Sequence, residues 1–195
     1  MLSISSKNFD VLISELEIND AERLCKIGND KELATKLGNG FPFPYTCIDA
    51  MAFIEQAAFG ISRGMSFNFG IRLKKEASLI GICSADKLDY VNMNCEIGFW
   101  LGSDYRGKGY AYAAVTLLVY FAFNGLGMHR ISAKTLGSNL QSRRLLEKIG
   151  FSEEGKLKES VRIDNKYYDA IEYGLLKTES ADKNLSEKNI KIERD

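Results

Sequence analysis

The chain has 195 residues, enough for one domain with a substantial core and too few for two comfortable ones. Its 26 lysines and arginines balance its 26 aspartates and glutamates, so no net charge draws it to nucleic acid or to an anionic membrane. Four cysteines without a CxxC pair and a single histidine argue against a zinc site or a disulfide framework. No basic segment followed by an apolar run opens the sequence, so we expect a cytoplasmic protein without a signal peptide.

The apolar residues follow two periods along the chain, that of strands and that of helices. About seven strands are predicted, near 9–13, 67–73, 79–84, 93–101, 129–136, 157–163 and 167–176. Helix starts are marked by the capping residues Asn19, Asp30, Thr46 and Asn139, and a further helix follows a glycine-containing segment before residue 110.

One segment, 110–128, has no charged residue and is long enough to suggest a membrane span. However, Asn124-Gly125-Leu126-Gly127 is typical of a helix end and leaves an apolar helix of only about four turns. Such a helix is too short to cross a bilayer and suits the buried centre of an α/β fold, so we predict no membrane association.

The composition changes near the C-terminus. From Thr178 onward half of the residues are charged, and the apolar ones are scattered. We therefore predict a single domain over residues 1–177 and a tail over 178–195 that is disordered or forms a loosely attached helix.

The segment from Arg106 to Ala111 has the features of an anion site. It joins a predicted strand to the start of a helix, where unpaired amides and the helix dipole favour negative charge. Gly107 and Gly109 let the backbone approach phosphate oxygens without a Cβ in the way. Arg106 and Lys108 add positive charge nearby.

Two better-known phosphate loops are excluded by spacing. A Walker loop needs four residues between its first glycine and Gly-Lys-Ser/Thr, and no such stretch exists. A dinucleotide loop needs a third glycine and an acidic residue about twenty positions onward, where this chain has Met128-His129-Arg130. On these six residues alone, an ordinary surface turn remains the alternative to an anion site.

The neighbouring motifs distinguish the two. In order they are Glu96-Ile97-Gly98-Phe99-Trp100-Leu101, Tyr105-Arg106-Gly107-Lys108-Gly109-Tyr110-Ala111, His129-Arg130-Ile131, and Asn139-x-x-Ser142-x-x-Leu145-x-Glu147-Lys148-x-Gly150-Phe151. This set resembles the GNAT acetyltransferase superfamily, whose acetyl-CoA loop reads Gln/Arg-x-x-Gly-x-Gly/Ala. The later motifs, with Asn165-x-x-x-Asp169 and Tyr173, are similar to its RimJ/RimL branch, the N-terminal acetyltransferases of ribosomal proteins. The resemblance spans about residues 9–177.

The resemblance implies the GNAT fold, a mixed and mostly antiparallel twisted sheet of about seven strands with about four helices on both faces. Strands 4 and 5 of that sheet splay into a V. Acetyl-CoA, the co-substrate, would place its pantetheine against Phe99, Trp100 and Leu101, and its pyrophosphate on the amides of 106–111. Asn139 would contact the cofactor, although it could equally cap its helix. No metal is implied.

The resemblance also implies two candidate catalytic residues. Glu96 is similar to the glutamate that family members often use as a base on the acceptor amine, and its alternative is a strand glutamate without a task. Many members follow the leucine of the second motif with a tyrosine acid, but this chain has Leu146 there. The branch instead points to Ser142 near the CoA sulfur, where a hydrogen bond is better suited to serine than proton transfer, and helix capping is the alternative.

The acceptor is expected to be a protein or peptide N-terminal amine of the ribosomal-protein type. A polyamine or similar small amine and a non-catalytic CoA-binding sensor are the alternatives. Five aromatic residues could wall an acceptor slot or belong to the core: Phe41, Phe43, Tyr45, Tyr167 and Tyr168. His129 is expected to pack rather than catalyse, and no cysteine has an activating partner in sequence. We expect a monomer or homodimer that binds neither nucleic acid nor membrane.

Overall fold

The alternating strand residues form one nine-stranded sheet in the computed structural model, which describes residues 1–38, 40–181 and 189–194. Its strands are β1 (Leu2–Ser6), β2 (Val11–Glu15), β3 (Phe67–Leu73), β4 (Leu79–Asp89), β5 (Asn94–Leu101), β6 (Arg130–Leu136), β7 (Ser152–Ile163), β8 (Lys166–Leu176) and β9 (Ile190–Arg194). The helices are α1 (Ala21–Gly28), α2 (Lys31–Leu37), α3 (Cys47–Arg63), α4 (Tyr110–Tyr120), α5 (Leu140–Ile149) and α6 (Lys177–Ala181). The spatial order of the strands is β7-β8-β6-β5-β4-β3-β2-β1-β9.

The sheet opens between β5 and β6, the one parallel pair among the described strands. Pairing runs from Asn94 opposite Arg130 only as far as Ile97 opposite Ala133. Beyond that point β5 stays with β4, while β6 stays with β8. The predicted GNAT fold and its splay are therefore confirmed. The splay falls between the fifth and sixth strands because the unpredicted β1 precedes the others.

The uncharged segment forms the buried helix α4, followed by a π-helical turn over Phe121–Gly125. Every residue of α4 from Ala113 to Val119 is buried, and the helix packs on the apolar face of the central strands. None of the helices in the described parts of the chain combines the length and apolarity needed to cross a membrane. A second apolar cluster joins α1 and α3 to Leu79 and Ile82 of β4, so helices cover both sheet faces.

The C-terminal segment is partly ordered. Residues 177–181 form α6, and β9 pairs antiparallel with β1, with Ile192 opposite Ile4. Ile190 and Ile192 alternate with polar residues and pack against the main core, and β9 covers an edge that β1 would otherwise expose. The predicted disorder does not describe these residues, while 182–188 and 195 lie outside the described residues.

Phe121 is the central ring of the core, and we expect Phe121→Ala to lower the free energy of unfolding by about 3–5 kcal/mol. Its ring is 1% exposed and meets Phe67 at 5.2 Å and Phe69 at 5.4 Å, both edge to face. Phe59, which is 56% exposed on α3, is the matched control, and Phe59→Ala should cost about 1 kcal/mol or less. Urea denaturation measures both; equal losses would contradict the prediction.

Candidate active site

A cavity of about 660 Å³ lies in the opening between β5 and β6. One wall is β5 from Glu96 to Leu101, and the opposite wall is the end of β6 from Ala133 to Leu136. The loop before α4, the first turns of α5 and part of α2 close the remaining sides. Residues separated by more than a hundred positions are thus brought to one site.

Most of the predicted site residues line this cavity. They are Glu96, Phe99, Trp100, Leu101, Arg106, Gly107, Gly109, Tyr110, Ala111, Asn139 and Ser142. Lys108 is placed differently, since its Nζ lies 5.9 Å from the centre of the Tyr105 ring and the residue is absent from the lining described for the cavity. Its positive charge is therefore directed at an aromatic face rather than at the cavity wall.

The glycine loop has the geometry of an anion site. Gly107 and Gly109 adopt φ values of 75° and 82°, in the region that side chains disfavour, and each has open space where a Cβ would stand. Gly109 is also the N-cap of α4, a helix described in full. That helix has no side-chain cap and no acidic residue in its first turn. Its dipole and first amides are thus available to a negatively charged ligand.

The Arg106 side chain is held by contacts with neighbouring protein groups and does not add an unpaired charge to the loop. Its backbone N–H donates to the Ser103 carbonyl at 3.2 Å, and its Nε donates to the Leu101 carbonyl at 3.0 Å. Its Nη2 lies 2.6 Å from Oδ2 of Asp30. Burial would raise the pKa of Asp30, but hydrogen bonds from the Leu33 amide and from Arg106 outweigh it and lower that pKa. The Arg106 charge is therefore already paired.

The inner edge of β5 faces the cavity beyond the last pair with β6. Phe99, Trp100 and Leu101 pair on their other side with β4, up to Leu101 opposite Gly81. A strand edge without a neighbour offers N–H and C=O groups to an extended ligand. The pantetheine arm of a coenzyme, which carries two amides, is such a ligand.

Glu96 stands on the β5 wall at the point where the strands part. Its side chain is 32% exposed, and its Oε2 lies 2.9 Å from Nζ of Lys87. Lys87 is itself largely exposed, so water screens this ion pair and it holds the carboxylate only weakly. Glu96 is thus accessible from the cavity.

Asn139 and Ser142 lie together at the start of α5. The Asn139 Oδ1 accepts a hydrogen bond from the Ser142 amide at 3.3 Å, which is the geometry of a helix N-cap. Both residues also line the cavity. The capping role that sequence reasoning weighed for Asn139 is therefore present, and it leaves the residue beside the ligand space.

The five aromatic residues considered for the acceptor slot are not among the lining described for the cavity. Phe41 stacks on Tyr45 at 4.8 Å and meets Trp100 edge to face at 5.8 Å, and both belong to the second core cluster. Phe43 and Tyr167 are exposed. The wall instead has aliphatic side chains that sequence reasoning missed: Leu33, Leu37, Leu136, Leu140 and Val161. The only sequence signal was the four-residue spacing of Leu33 and Leu37.

The histidine and the two core cysteines lie outside the described lining of the cavity. His129 is exposed at the start of β6, and Cys83 and Cys95 are buried in the core. Burial raises the pKa of the Cys95 thiol to about 12 and that of Cys83 further, so both remain protonated thiols at neutral pH. Within the described residues, no group of three or more His, Cys, Asp or Glu could hold a metal ion.

A splayed mixed sheet with a glycine loop at a helix start inside the opening defines the class of CoA-dependent acyltransferases. The family model for the acetyltransferase (GNAT) domain matches residues 10–152, and the chain belongs to this family of N-acetyltransferases. The sequence-based assignment to that family is thus confirmed.

Named relatives agree with the branch that the motifs indicate. The chain is 33% identical over 174 residues to YdaF of Bacillus subtilis, provisionally named a ribosomal N-acetyltransferase, covering 88% of this chain and 94% of YdaF. It is 28% identical over 110 residues to the ribosomal protein uS5 alanine N-acetyltransferase of Escherichia coli, 56% of this chain and 57% of that protein. A crystal structure described as a probable acetyltransferase has a TM-score of 0.78 and 31% identity, over 87% of this chain and 94% of the other.

We expect Asn139→Ala to lower the free energy of unfolding by about 1 kcal/mol, because the first turn of α5 loses its cap. Asn139→Ser should restore most of that loss, since serine caps about as well as asparagine. Urea denaturation of the two variants without ligand measures the effect. Equal stability of Asn139→Ala and the wild type would show that the hydrogen bond to Ser142 contributes nothing to folding.

Proposed function

We propose that the protein transfers an acetyl group from acetyl-CoA to the N-terminal α-amine of a protein or peptide, of the ribosomal-protein type. The observation that carries the proposal is the charge of the cavity. Glu96 is the single carboxylate among the described lining residues, whereas Lys134 and Arg144 are cationic, and the cations Lys36 and Arg106 are paired with Glu32 and Asp30. A peptide N-terminus brings one amine, which a single carboxylate can serve.

The same charges disfavour a polyamine, which carries several positive charges and needs acidic groups in its pocket. The carboxylates near the cavity are already engaged. Asp30 pairs with Arg106 at 2.6 Å, and Glu32 pairs with Lys36 at 2.5 Å. The names of the relatives point in the same direction, since YdaF and the uS5 enzyme are both named for ribosomal acceptors.

The loop and β5 supply the donor side of the proposed site. The amides of 107–111 would hold the pyrophosphate, because the helix dipole of α4 and the glycine backbone are open to an anion. The β5 edge at Phe99, Trp100 and Leu101 would hold the pantetheine, beside the Leu101 carbonyl that already accepts a hydrogen bond from Arg106. When bound, acetyl-CoA supplies an activated thioester carbonyl.

Two side chains would then assist the reaction, Glu96 by accepting a proton and Ser142 by donating a hydrogen bond. Glu96 accepts the proton that the acceptor amine must lose, directly or through water, so that nitrogen can attack the carbonyl carbon. Backbone amides can stabilise the oxyanion that forms. The Ser142 hydroxyl would donate a hydrogen bond to the sulfur as the carbon–sulfur bond breaks. The nitrogen would lose its second proton to solvent as the amide forms, and the thiolate would take up a proton from solvent.

An acceptor panel tests the proposed reaction by following CoA thiol release. Peptides with a free α-amine should be acetylated, whereas the same peptides with a blocked α-amine and a free lysine should not. Spermidine should be a poor substrate. Acetyl-CoA should raise Tm because it binds only the folded state. A preference for spermidine would favour a polyamine enzyme, and a Tm shift without any turnover would favour a CoA-binding sensor.

We expect Glu96→Gln to reduce kcat by about two to four orders of magnitude, the usual contribution of a general base. Acetyl-CoA binding, measured calorimetrically, should change little because the loop is untouched. Asp86 lies opposite Glu96 on β4 and outside the described lining of the cavity, which makes Asp86→Asn a matched control. Full activity of Glu96→Gln would remove Glu96 from the mechanism.

A further inference from the structure

The guanidinium group of Arg106 joins the glycine loop to two other elements of the site, β5 and α2. Its Nε bonds the carbonyl of Leu101 at the end of β5, and its Nη2 bonds Asp30 at the start of α2. Its Nη1 lies 3.6 Å from Glu32 in the first turn of the same helix. The Arg106 and Asp30 side chains are only 23% and 19% exposed, so water screens their ion pair less than a surface one.

Asp30 has a role at each of its two carboxylate oxygens. Oδ1 accepts hydrogen bonds from the amides of Glu32 at 2.8 Å and Leu33 at 3.2 Å, which caps α2. Oδ2 receives the Arg106 guanidinium at 2.6 Å. A single side chain thus starts the helix and fixes it to the donor loop.

The short helix α2 depends on this attachment. It has seven residues, of which only Leu33 is buried, and isolated helices of that length are unstable in water. Yet Leu33, Lys36 and Leu37 line the cavity. The Asp30–Arg106 ion pair and the longer Glu32–Arg106 contact join that wall to the loop.

We propose that Arg106 is a positioning residue that couples the donor loop to the acceptor wall formed by α2, and not a ligand of the coenzyme pyrophosphate. The inference rests on the proposed function, which assigns the loop to the donor, and it takes α2 as part of the acceptor wall because Leu33, Lys36 and Leu37 line the same cavity. Asp30 neutralises Arg106 and leaves the phosphates to the amides of the glycine loop. A donor that orders the loop also orders α2, so acetyl-CoA and acceptor bind with positive cooperativity.

The first test compares the effects of Asp30→Asn on the KM of the acceptor and on the Kd of acetyl-CoA. Asparagine keeps the helix cap but loses the charge that holds Arg106. Acceptor KM should rise about tenfold, within the usual range of coupling between sites, while the Kd of acetyl-CoA is unchanged or tighter because Arg106 is freed. Arg106→Gln should raise acceptor KM to a similar extent, and the double variant should be no worse than either single one.

A matched control separates loss of the ion pair from loss of a helix cap. Asp49 forms the capping box of α3 with Thr46, and no ion pair to arginine or lysine is described for it. Asp49→Asn should therefore leave both substrate constants near those of the wild type. Urea denaturation verifies that each variant is folded under the assay conditions.

The second test uses hydrogen exchange of the peptide covering α2, which needs no acceptor. Exchange there should be faster in Asp30→Asn and Arg106→Gln than in the wild type and Asp49→Asn, and acetyl-CoA should slow it only in the latter two. If no acceptor is found, the proposed function fails but the exchange without ligand still decides this inference. Unchanged α2 exchange in both variants would overturn it. A second pair of results would also overturn it. In that case Arg106→Gln weakens acetyl-CoA binding more than about tenfold, and Asp30→Asn leaves the KM of the acceptor unchanged.

Discussion

The site exists because β5 and β6 pair for only four residues and then separate at Ile97 and Ala133. Past this point each strand remains paired with its other neighbour. β5 continues its antiparallel pairing with β4, and β6 continues its antiparallel pairing with β8. The crossover between them contains the buried helix α4, whose N-terminus opens into the resulting gap. One interruption of backbone pairing thus provides a cavity, a free strand edge and a helix dipole at the same place.

The electrostatics of this opening depend on which charged side chains form ion pairs, and not on the overall charge composition of the chain. Arg106 and Asp30 neutralise one another and connect the glycine loop to α2, while Lys36 and Glu32 pair within α2. Glu96 remains accessible on the β5 wall, held only by an exposed lysine. The chain's zero net charge therefore describes neither the glycine loop, whose backbone amides are open to an anion, nor the β5 wall, where Glu96 is the single carboxylate among the described lining residues.

Local signals were sufficient for much of the fold and for the donor site. The alternation in β3, β5 and β8, the cap at Asn139 and the glycines of the loop are properties of neighbouring residues, and they predict the same elements that the structure shows. Two short neighbouring strands at one side of the sheet, β1 and β9, were missed or assigned to a disordered tail. For β1 and β9 the alternation is only five residues long, and it becomes significant only when Ile4 and Ile192 face each other.

The sequence by itself determined the class of fold, the location of the anion loop and the family, because backbone conformation and short motifs depend on residues close together in the chain. Only the tertiary structure decided what the side chains at that loop contact. Arg106 pairs with a carboxylate 76 positions away. Of the predicted aromatic wall, Phe41 and Tyr45 belong to the second core cluster and Phe43 and Tyr167 are exposed, while leucines of α2 line the cavity. Such pairings follow from which surfaces the fold brings together, and no local spacing encodes them.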